Sequence, residues 1–147
     1  MPRTHLEAEY VRRLLPLGRN WRRAADRALA ACGLSSAAAW PVLYVGRLGE
    51  GIRQSALAEA LEVEQASLVR QLNLLTGAGL IERSPDPADR RANLLHLTAE
   101  GRAMAARIEA IVAELRARVL GPVSDADLAT ALAVLERAAR ALEEDAG

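Results

Sequence analysis

The sequence predicts a mainly α-helical fold with a small β-wing: a winged helix-turn-helix, with amino- and carboxyl-terminal helices forming a dimerisation region. Three observations lead to this prediction. Two short amphipathic stretches lie close together between residues 55 and 75, as in a helix-turn-helix. Two apolar segments then flank a polar, proline-containing connection, which is typical of a two-stranded ribbon. Long apolar stripes at helical spacing occupy both ends of the chain.

The helix-turn-helix is predicted over residues 55–62 and 66–75. In the second helix, apolar residues recur at three-residue steps and define the predicted inward row. That row consists of Ala66, Val69, Leu72 and Leu75. Leu68 falls off it, so it either touches thymine methyl groups or packs beneath the wing. Gly77 and Gly79 end the helix, because glycine readily adopts the left-handed conformation of a C-terminal cap.

The wing is predicted as a ribbon in which residues 80–83 pair with residues 94–97. The connection over residues 84–93 is too polar and too rich in proline to belong to a core, so it is expected to form a loop. Its tip carries the adjacent cations Arg90 and Arg91. A helix-turn-helix followed by a basic wing indicates a DNA-binding module.

The most specific motif runs through the wing into the next helix: Asp86-Pro-Ala-Asp89-Arg90-Arg91, then Leu97-Thr98-x-x-Gly101. Together with Gly79-Leu80-Ile81 and the segment 64–70, it resembles the MarR-type winged-helix transcriptional regulators, nearest their SlyA-like branch. The resemblance covers about residues 16–142. It implies a homodimer that binds double-stranded operator DNA, and it implies that Asp89 orients Arg91.

Composition and charge bound the class of protein. With 51% hydrophobic residues in 147, the chain is expected to form one soluble domain. The zero formal net charge does not favour a non-specific basic coat, so modest non-specific DNA affinity is expected. No apolar run approaches the roughly 20 residues of a membrane helix, so a cytoplasmic location is expected. An arginine-rich chain without lysine suggests a GC-rich bacterial genome.

The flanking helices are predicted from proline, glycine and capping residues. The main first helix is expected to start at Pro16, after a short separate helix in residues 1–15. Ser35 or Ser36 caps a helix over residues 37–48, and Thr98 caps a long helix. A last helix follows Ser124. Three regions are therefore expected: residues 1–48, residues 49–98 and residues 99–147. The middle region is the DNA-binding module. The first helix of the chain and the last helix are expected to form the dimer interface.

The candidate DNA contacts lie on the second helix and at the wing tip. Arg70 is the best candidate for a base contact, because arginine matches the paired acceptors of guanine. Gln65, Ser67 and Gln71 are expected to serve bases or phosphates. Arg91 is expected to enter the minor groove and Arg90 to contact a phosphate. A solvated helix face and a solvated loop are the alternatives.

Enzymatic, metal and redox functions find little support in the sequence. It contains no phosphate-binding glycine loop, zinc motif or nucleophile elbow, so no catalytic residue, metal or cofactor is expected. The only histidines are His5 and His96, and His96 is expected to be a solvated strand residue. Cys32 is expected to be a small buried apolar residue. The alternative is a redox sensor, although the carboxyl end of a helix raises the pKa of a thiol.

The resemblance also implies a cleft for a small phenolic or aromatic acid. Trp40 and Tyr44 would stack on the ring, Arg19 or Arg23 would pair with the carboxylate, and Ser36 would lie in the same helix. The expected function is therefore a repressor that such an acid releases from a palindromic operator. Two alternatives stay open: a regulator or silencing antagonist that responds to no ligand, and a helical protein-interaction module that does not bind DNA.

Overall fold

The computed structural model describes residues 1–31 and 33–147. The expectations for Cys32 lie outside the described residues. The described helices are α1 Arg3–Ala31, α2 Ser36–Leu48, α3 Gln54–Leu61, α4 Gln65–Gly77, α5 Ala99–Leu120 and α6 Asp125–Asp145. The strands are β1 Ile52–Arg53, β2 Ile81–Asp86 and β3 Asp89–Leu97. The prediction of a mainly α-helical fold with a small β-wing is confirmed.

The chain divides into two compact units, residues 1–113 and residues 114–147. The first unit contains a continuous apolar core built from leucines and other aliphatic side chains of α1 to α5 and the sheet. Its most enclosed members include Leu29, Leu43, Leu57, Leu72, Leu95 and Ile108. The second unit contains the end of α5 and all of α6. None of the residues of α6 is buried.

Helix α1 differs from the prediction, because it runs without interruption from Arg3 to Ala31 with Pro16 in its interior. The proline removes one backbone hydrogen bond, to the carbonyl of Arg12, at a cost of about 3 kcal/mol. The prediction that a helix starts at Pro16 was wrong. One apolar stripe continues through this position at steps of three and four residues, which favours a single helix. That stripe contains Leu6, Tyr10, Leu14, Leu17 and Trp21.

The predicted helix caps are confirmed. The side chain of Ser35 accepts a hydrogen bond from the amide of Ala38 and caps α2. The hydroxyl of Thr98 accepts a hydrogen bond from the amide of Gly101 at 2.9 Å and caps α5. The hydroxyl of Ser124 accepts one from the amide of Asp127 at 3.2 Å and caps α6. Each cap satisfies an amide that has no partner within its own helix.

The inward row of α4 is Leu68, Leu72 and Leu75, all at most 2% exposed. The predicted row of Ala66, Val69, Leu72 and Leu75 was therefore wrong in half of its members: Ala66 is exposed, and Val69 is 38% exposed. Three-residue steps drift around a helix of 3.6 residues per turn, whereas steps of four and three stay on one face. Leu68 is a core residue, so it is not available to thymine methyl groups.

The sheet is antiparallel with the order β1-β3-β2. Its strands extend further than predicted, since Pro85 pairs with Asn93 and Asp86 with Asp89. The expected loop over residues 84–93 is thus mostly strand. Pro85 is tolerated because β2 is an edge strand, where a missing amide hydrogen breaks no ladder. Strand β1, in which Ile52 pairs with Leu95, was not predicted from the sequence.

No single helix in the described ranges is long and apolar enough to cross a membrane; only the bent pair of α1 and α2, taken together, meets such a test by length and composition. Within the same ranges, no group of three or more His, Cys, Asp or Glu side chains could hold a metal ion.

Candidate nucleic-acid interface

The outward face of α4 carries the side chains predicted to read DNA. Gln65, Ser67 and Arg70 are exposed, and Arg70 lies on the side of the helix opposite the buried row. Gln71 is only half-buried and lies beside that row. The side chain of Arg70 therefore projects into solvent, whereas the side chain of Gln71 is turned partly towards the core.

A tight turn between α3 and α4 sets the direction of the outward face. Glu62 adopts the left-handed conformation, with φ 54° and ψ 42°. That conformation costs a non-glycine residue about 1 kcal/mol, so the surrounding contacts must hold it. The amide of Val63 donates to the carbonyl of Ala58 at 3.1 Å, and the amide of Leu68 donates to the carbonyl of Glu64 at 3.1 Å. These bonds carry the chain directly from one helix into the next.

The turn of the wing is organised by Asp86, which is only 6% exposed. Its carboxylate accepts a hydrogen bond from the amide of Ala88 at 2.9 Å and pairs with the Arg53 guanidinium at 2.6 Å. The amide of Ala88, and secondly the guanidinium of Arg53, hold the pKa of Asp86 below its usual range. This pair was not predicted from the sequence. An aspartate two residues before a turn amide is the local signal that could have revealed half of it.

Asp89 acts on the backbone of Arg91. Its Oδ1 accepts a hydrogen bond from the amide of Arg91 at 3.0 Å. The resemblance implied that Asp89 orients the arginine, and the structure supplies a backbone route for that effect. The side chains of Arg90 and Arg91 are exposed at the start of β3. The wing therefore holds two cations outward on a turn fixed by two carboxylates.

Polar contacts join the wing to its surroundings. The Arg83 guanidinium of β2 donates to the Asn73 side-chain oxygen of α4 at 2.7 Å. The His96 ring is hydrogen-bonded to the Ser84 hydroxyl at 3.0 Å and lies 3.1 Å from a Glu50 carboxylate oxygen. His96 was expected to be a solvated strand residue; it lies on β3 with 32% of its side chain exposed and contacts both of these groups.

The motif at the start of α5 anchors the base of the wing. The hydroxyl of Thr98 donates to the carbonyl of Gly79 at 2.6 Å while it caps the helix. Gly79 has φ +73°, which explains a glycine at the end of the turn after α4. A Cβ atom at Gly101 would overlap the carbonyl oxygen of Leu80. Gly101 is thus required because backbone passes directly beside it.

A cleft of about 370 Å³ lies between α1, α2 and α4. The guanidinium of Arg22 stacks 4.2 Å from the centre of the Trp40 ring, and the Trp40 indole donates to Asp26 at 2.9 Å. The described lining residues are Arg22, Asp26, Ser36, Ala37, Trp40, Pro41, Leu61, Val63, Ser67, Leu68 and Gln71.

The cleft matches the predicted ligand residues only in part. Ser36 and Trp40 line it as expected. Arg19 and Arg23 are exposed on α1, and Tyr44 faces the Arg47 guanidinium at 5.8 Å, so none of these three is among the described lining residues. The cation of the cleft is Arg22. Arg22 precedes Arg23 by one position and points about 100° away from it around the helix; the roles predicted for Arg19 and Arg23 stay predictions.

The fold and this surface define the winged helix DNA-binding fold: a helix-turn-helix with an outward arginine, beside a wing that carries two more arginines. Comparison with known proteins agrees. The family model described as MarR family matches residues 33–92. The structure of transcriptional regulator PA3341 is 35% identical, covers 92% of this chain and 98% of its own, and has a TM-score of 0.82. The chain belongs to the MarR family of transcriptional regulators.

Other relatives extend the comparison. A Thauera aromatica protein described as a candidate regulator of the hcr operon is 40% identical over 87 residues. That match covers 59% of this chain and 52% of the relative, so the chain spans about half of that relative's length. CouR from Rhodococcus jostii RHA1, solved bound to p-coumaroyl-CoA, is 27% identical with a TM-score of 0.70, covering 84% of this chain and 86% of its own.

The transcriptional regulator SlyA has a TM-score of 0.76 and covers 92% of this chain and 95% of its own. At 18% identity, this likeness extends to the fold alone. The relatives found are transcriptional regulators and not enzymes.

Proposed function

We propose that this protein is a cytoplasmic repressor that binds a palindromic DNA operator as a homodimer and releases it when a small aromatic acid binds. The observation that carries the proposal is the pairing of two exposed basic features on one module. Arg70 faces outward from α4, and Arg90 and Arg91 face outward from the wing. A winged helix uses these two elements for the major and the minor groove.

In the proposed complex, α4 lies in the major groove and the wing follows the adjacent minor groove. Arg70 reads guanine through its paired acceptors, while Gln65 and Ser67 contact bases or phosphates. Arg91 enters the minor groove and Arg90 contacts a phosphate. Gln71 contributes less directly, because its half-buried side chain also lines the cleft.

The terminal helices supply the proposed subunit contact. Helix α1 exposes Leu6, Val11, Leu15 and Leu17, and α6 exposes Leu132, Leu135 and Leu142, each more than 40% accessible. Apolar residues exposed along whole helices are typical of an interface that a second copy covers. Residues 1–48 and 99–147 would then form the dimerisation region, and residues 49–98 the DNA-binding module. The operator half-sites would lie about 10 bp apart, centre to centre.

The proposed effector site is the cleft between α1, α2 and α4. Its apolar floor and the Trp40 ring suit an aromatic ring, and Arg22 suits a carboxylate. CouR, solved with p-coumaroyl-CoA, is a relative that binds an aromatic acyl compound. Ser67 and Gln71 of α4 are among the lining residues, so an acid bound in the cleft would contact α4, the helix proposed to enter the major groove. Release requires that the acid prefers the DNA-free arrangement.

The cleft also separates this proposal from its alternatives. A regulator that responds to no ligand has no need of an apolar cleft with a stacked cation. It would gain support if a series of phenolic and aromatic acids left operator affinity unchanged. A protein-interaction module without DNA binding has no need of exposed arginines on both α4 and the wing.

The test is selection of fragments from random DNA by the purified protein, read by sequencing. We expect enrichment of a twofold-symmetric motif whose half-sites lie about 10 bp apart. Absence of enrichment above bulk DNA would contradict the proposal and would favour the protein-interaction module.

A further inference from the structure

Asn73 lies on the same face of α4 as the arginine proposed to read guanine. Residues 66, 70 and 73 follow one another at steps of four and three, so Ala66, Arg70 and Asn73 project to the same side. All three are exposed, and the buried row of Leu68, Leu72 and Leu75 lies on the opposite side. From this position, and given the proposed DNA binding, we infer that Asn73 reads a base by presenting its amide as a hydrogen-bond donor.

The orientation of the Asn73 amide follows from its partner. The Arg83 guanidinium donates to Asn73 Oδ1 at 2.7 Å. A guanidinium has donors only, so the amide oxygen must face Arg83. The usual ambiguity between the oxygen and nitrogen of an asparagine side chain is thereby resolved. Its Nδ2 group is turned away from the arginine and is the free donor of the side chain, whereas the remaining lone pair of Oδ1 lies beside the guanidinium that already occupies the oxygen.

Arg83 holds this orientation from a fixed site. Its side chain starts on β2, in the position paired with Leu95 of the central strand. Its Nε atom is buried and has no hydrogen-bond partner in the part of the chain that the structure describes. An unsatisfied buried donor lowers stability. The contact through Nη1 ties β2 of the wing to α4, and it makes Arg83 a positioning residue for the Asn73 amide.

The chemistry of the base edges gives the specificity. In the major groove, guanine, adenine and thymine each present an acceptor, whereas cytosine presents a donor amine. An asparagine that turns its Nδ2 donor to the base therefore favours the first three bases over cytosine. An unrestrained asparagine behaves differently, because it pairs with adenine through both its oxygen and its nitrogen. Arg83 thus changes which bases Asn73 can read.

The test compares base preference among variants on the selected operator, with each of the four bases placed in turn at every symmetric position. The wild-type protein is expected to disfavour cytosine at one position per half-site, by about tenfold. Asn73→Asp keeps the contact with Arg83 but replaces the donor with an acceptor, so cytosine becomes the favoured base there. Arg83→Ala releases the amide and moves the preference towards adenine. Arg83→Lys retains a donor and restores the wild-type preference.

The matched control is Asn93→Asp, which adds the same charge on an exposed residue of the wing strand β3. It should lower affinity for every operator alike. If Asn73→Asp also lowers affinity for all four bases equally, Asn73 reads no base and the inference is overturned while the proposed function stands. If the wild-type protein shows no sequence preference at all, both are overturned. Each ratio is measured within one variant, so partial loss of folded protein does not change it.

Discussion

The wing and the last helix differ in how far their side chains are satisfied by contacts within the described chain. Carboxylates, an arginine and backbone amides satisfy one another at the wing turn, where Asp86 is 6% exposed. Helix α6 buries none of its residues, and Leu142 is 71% exposed. The difference supports the two proposed roles. The wing is fixed by its own contacts and would meet DNA as a preformed element, whereas the exposed leucines of α6 would be covered by the proposed second copy.

The largest loss of stability near the wing is expected for Gly101→Ala, at the start of α5. The new methyl group would overlap the Leu80 carbonyl, and backbone cannot move aside as a side chain can. We expect the free energy of unfolding to fall by about 4 kcal/mol, at the upper end for overpacking. Chemical denaturation measures it. Gly18→Ala is the control, because nothing lies within 4 Å of that position in α1. Equal stability of the two variants would contradict the close approach.

The corrected core row of α4 is tested by truncating one residue inside it and one outside it. Leu72 is 0% exposed, so Leu72→Ala should cost about 3 kcal/mol of unfolding free energy. Val69 is 38% exposed, so Val69→Ala should cost less than about 0.5 kcal/mol. Denaturant midpoints compare the two. Similar losses would restore the three-residue row that the sequence suggested.

The proposed role of α6 in subunit association is tested by placing a charge on its exposed apolar face. Leu135→Glu should weaken subunit association by about 2 kcal/mol, because an interface would bury an unpaired carboxylate. Sedimentation at several concentrations measures the shift towards monomer. Thr130→Glu is the control: it adds the same charge on the opposite side of the helix and should leave association unchanged. Identical behaviour of the two variants would remove the assignment of α6 to the dimer.

The smallest effect concerns the pH dependence of the wing. The pKa of Asp86 is lowered in the folded protein, chiefly by the Ala88 amide. Its contribution is therefore complete above the unfolded value, about 3.9, and is lost as the pH falls through the folded value. We expect the protection factors of the Asp86, Ala88 and Asp89 amides, which are corrected for the intrinsic exchange rate, to fall below about pH 4. Asp86→Asn should remove that acid step. Protection factors at these three amides that do not change with acid would contradict the role of the carboxylate.

Much of this molecule could be predicted from sequence, because helix caps depend on neighbouring residues. Thr98 and Ser124 cap their helices as predicted, and Ser35 is the one of the two predicted serines that caps α2. Strand β1 could not be found, since its two residues are ordered by pairing with β3. The ion pair of Arg53 and Asp86 joins residues far apart in sequence, so a local pattern could not identify Arg53 as the partner of Asp86. Arg22 was missed because the choice among several arginines on α1 depends on where α2 packs.

The central claim is that the preformed wing contacts DNA. Its most direct test is the operator affinity of the Arg91→Ala variant, measured by fluorescence anisotropy. The exposed guanidinium contributes nothing to the core, so dimerisation and melting should stay unchanged. Affinity for the operator should fall by about 1–3 kcal/mol, or roughly 5- to 150-fold. Wild-type affinity in the Arg91→Ala protein would show that the wing arginine does not meet DNA, and the central claim would be wrong.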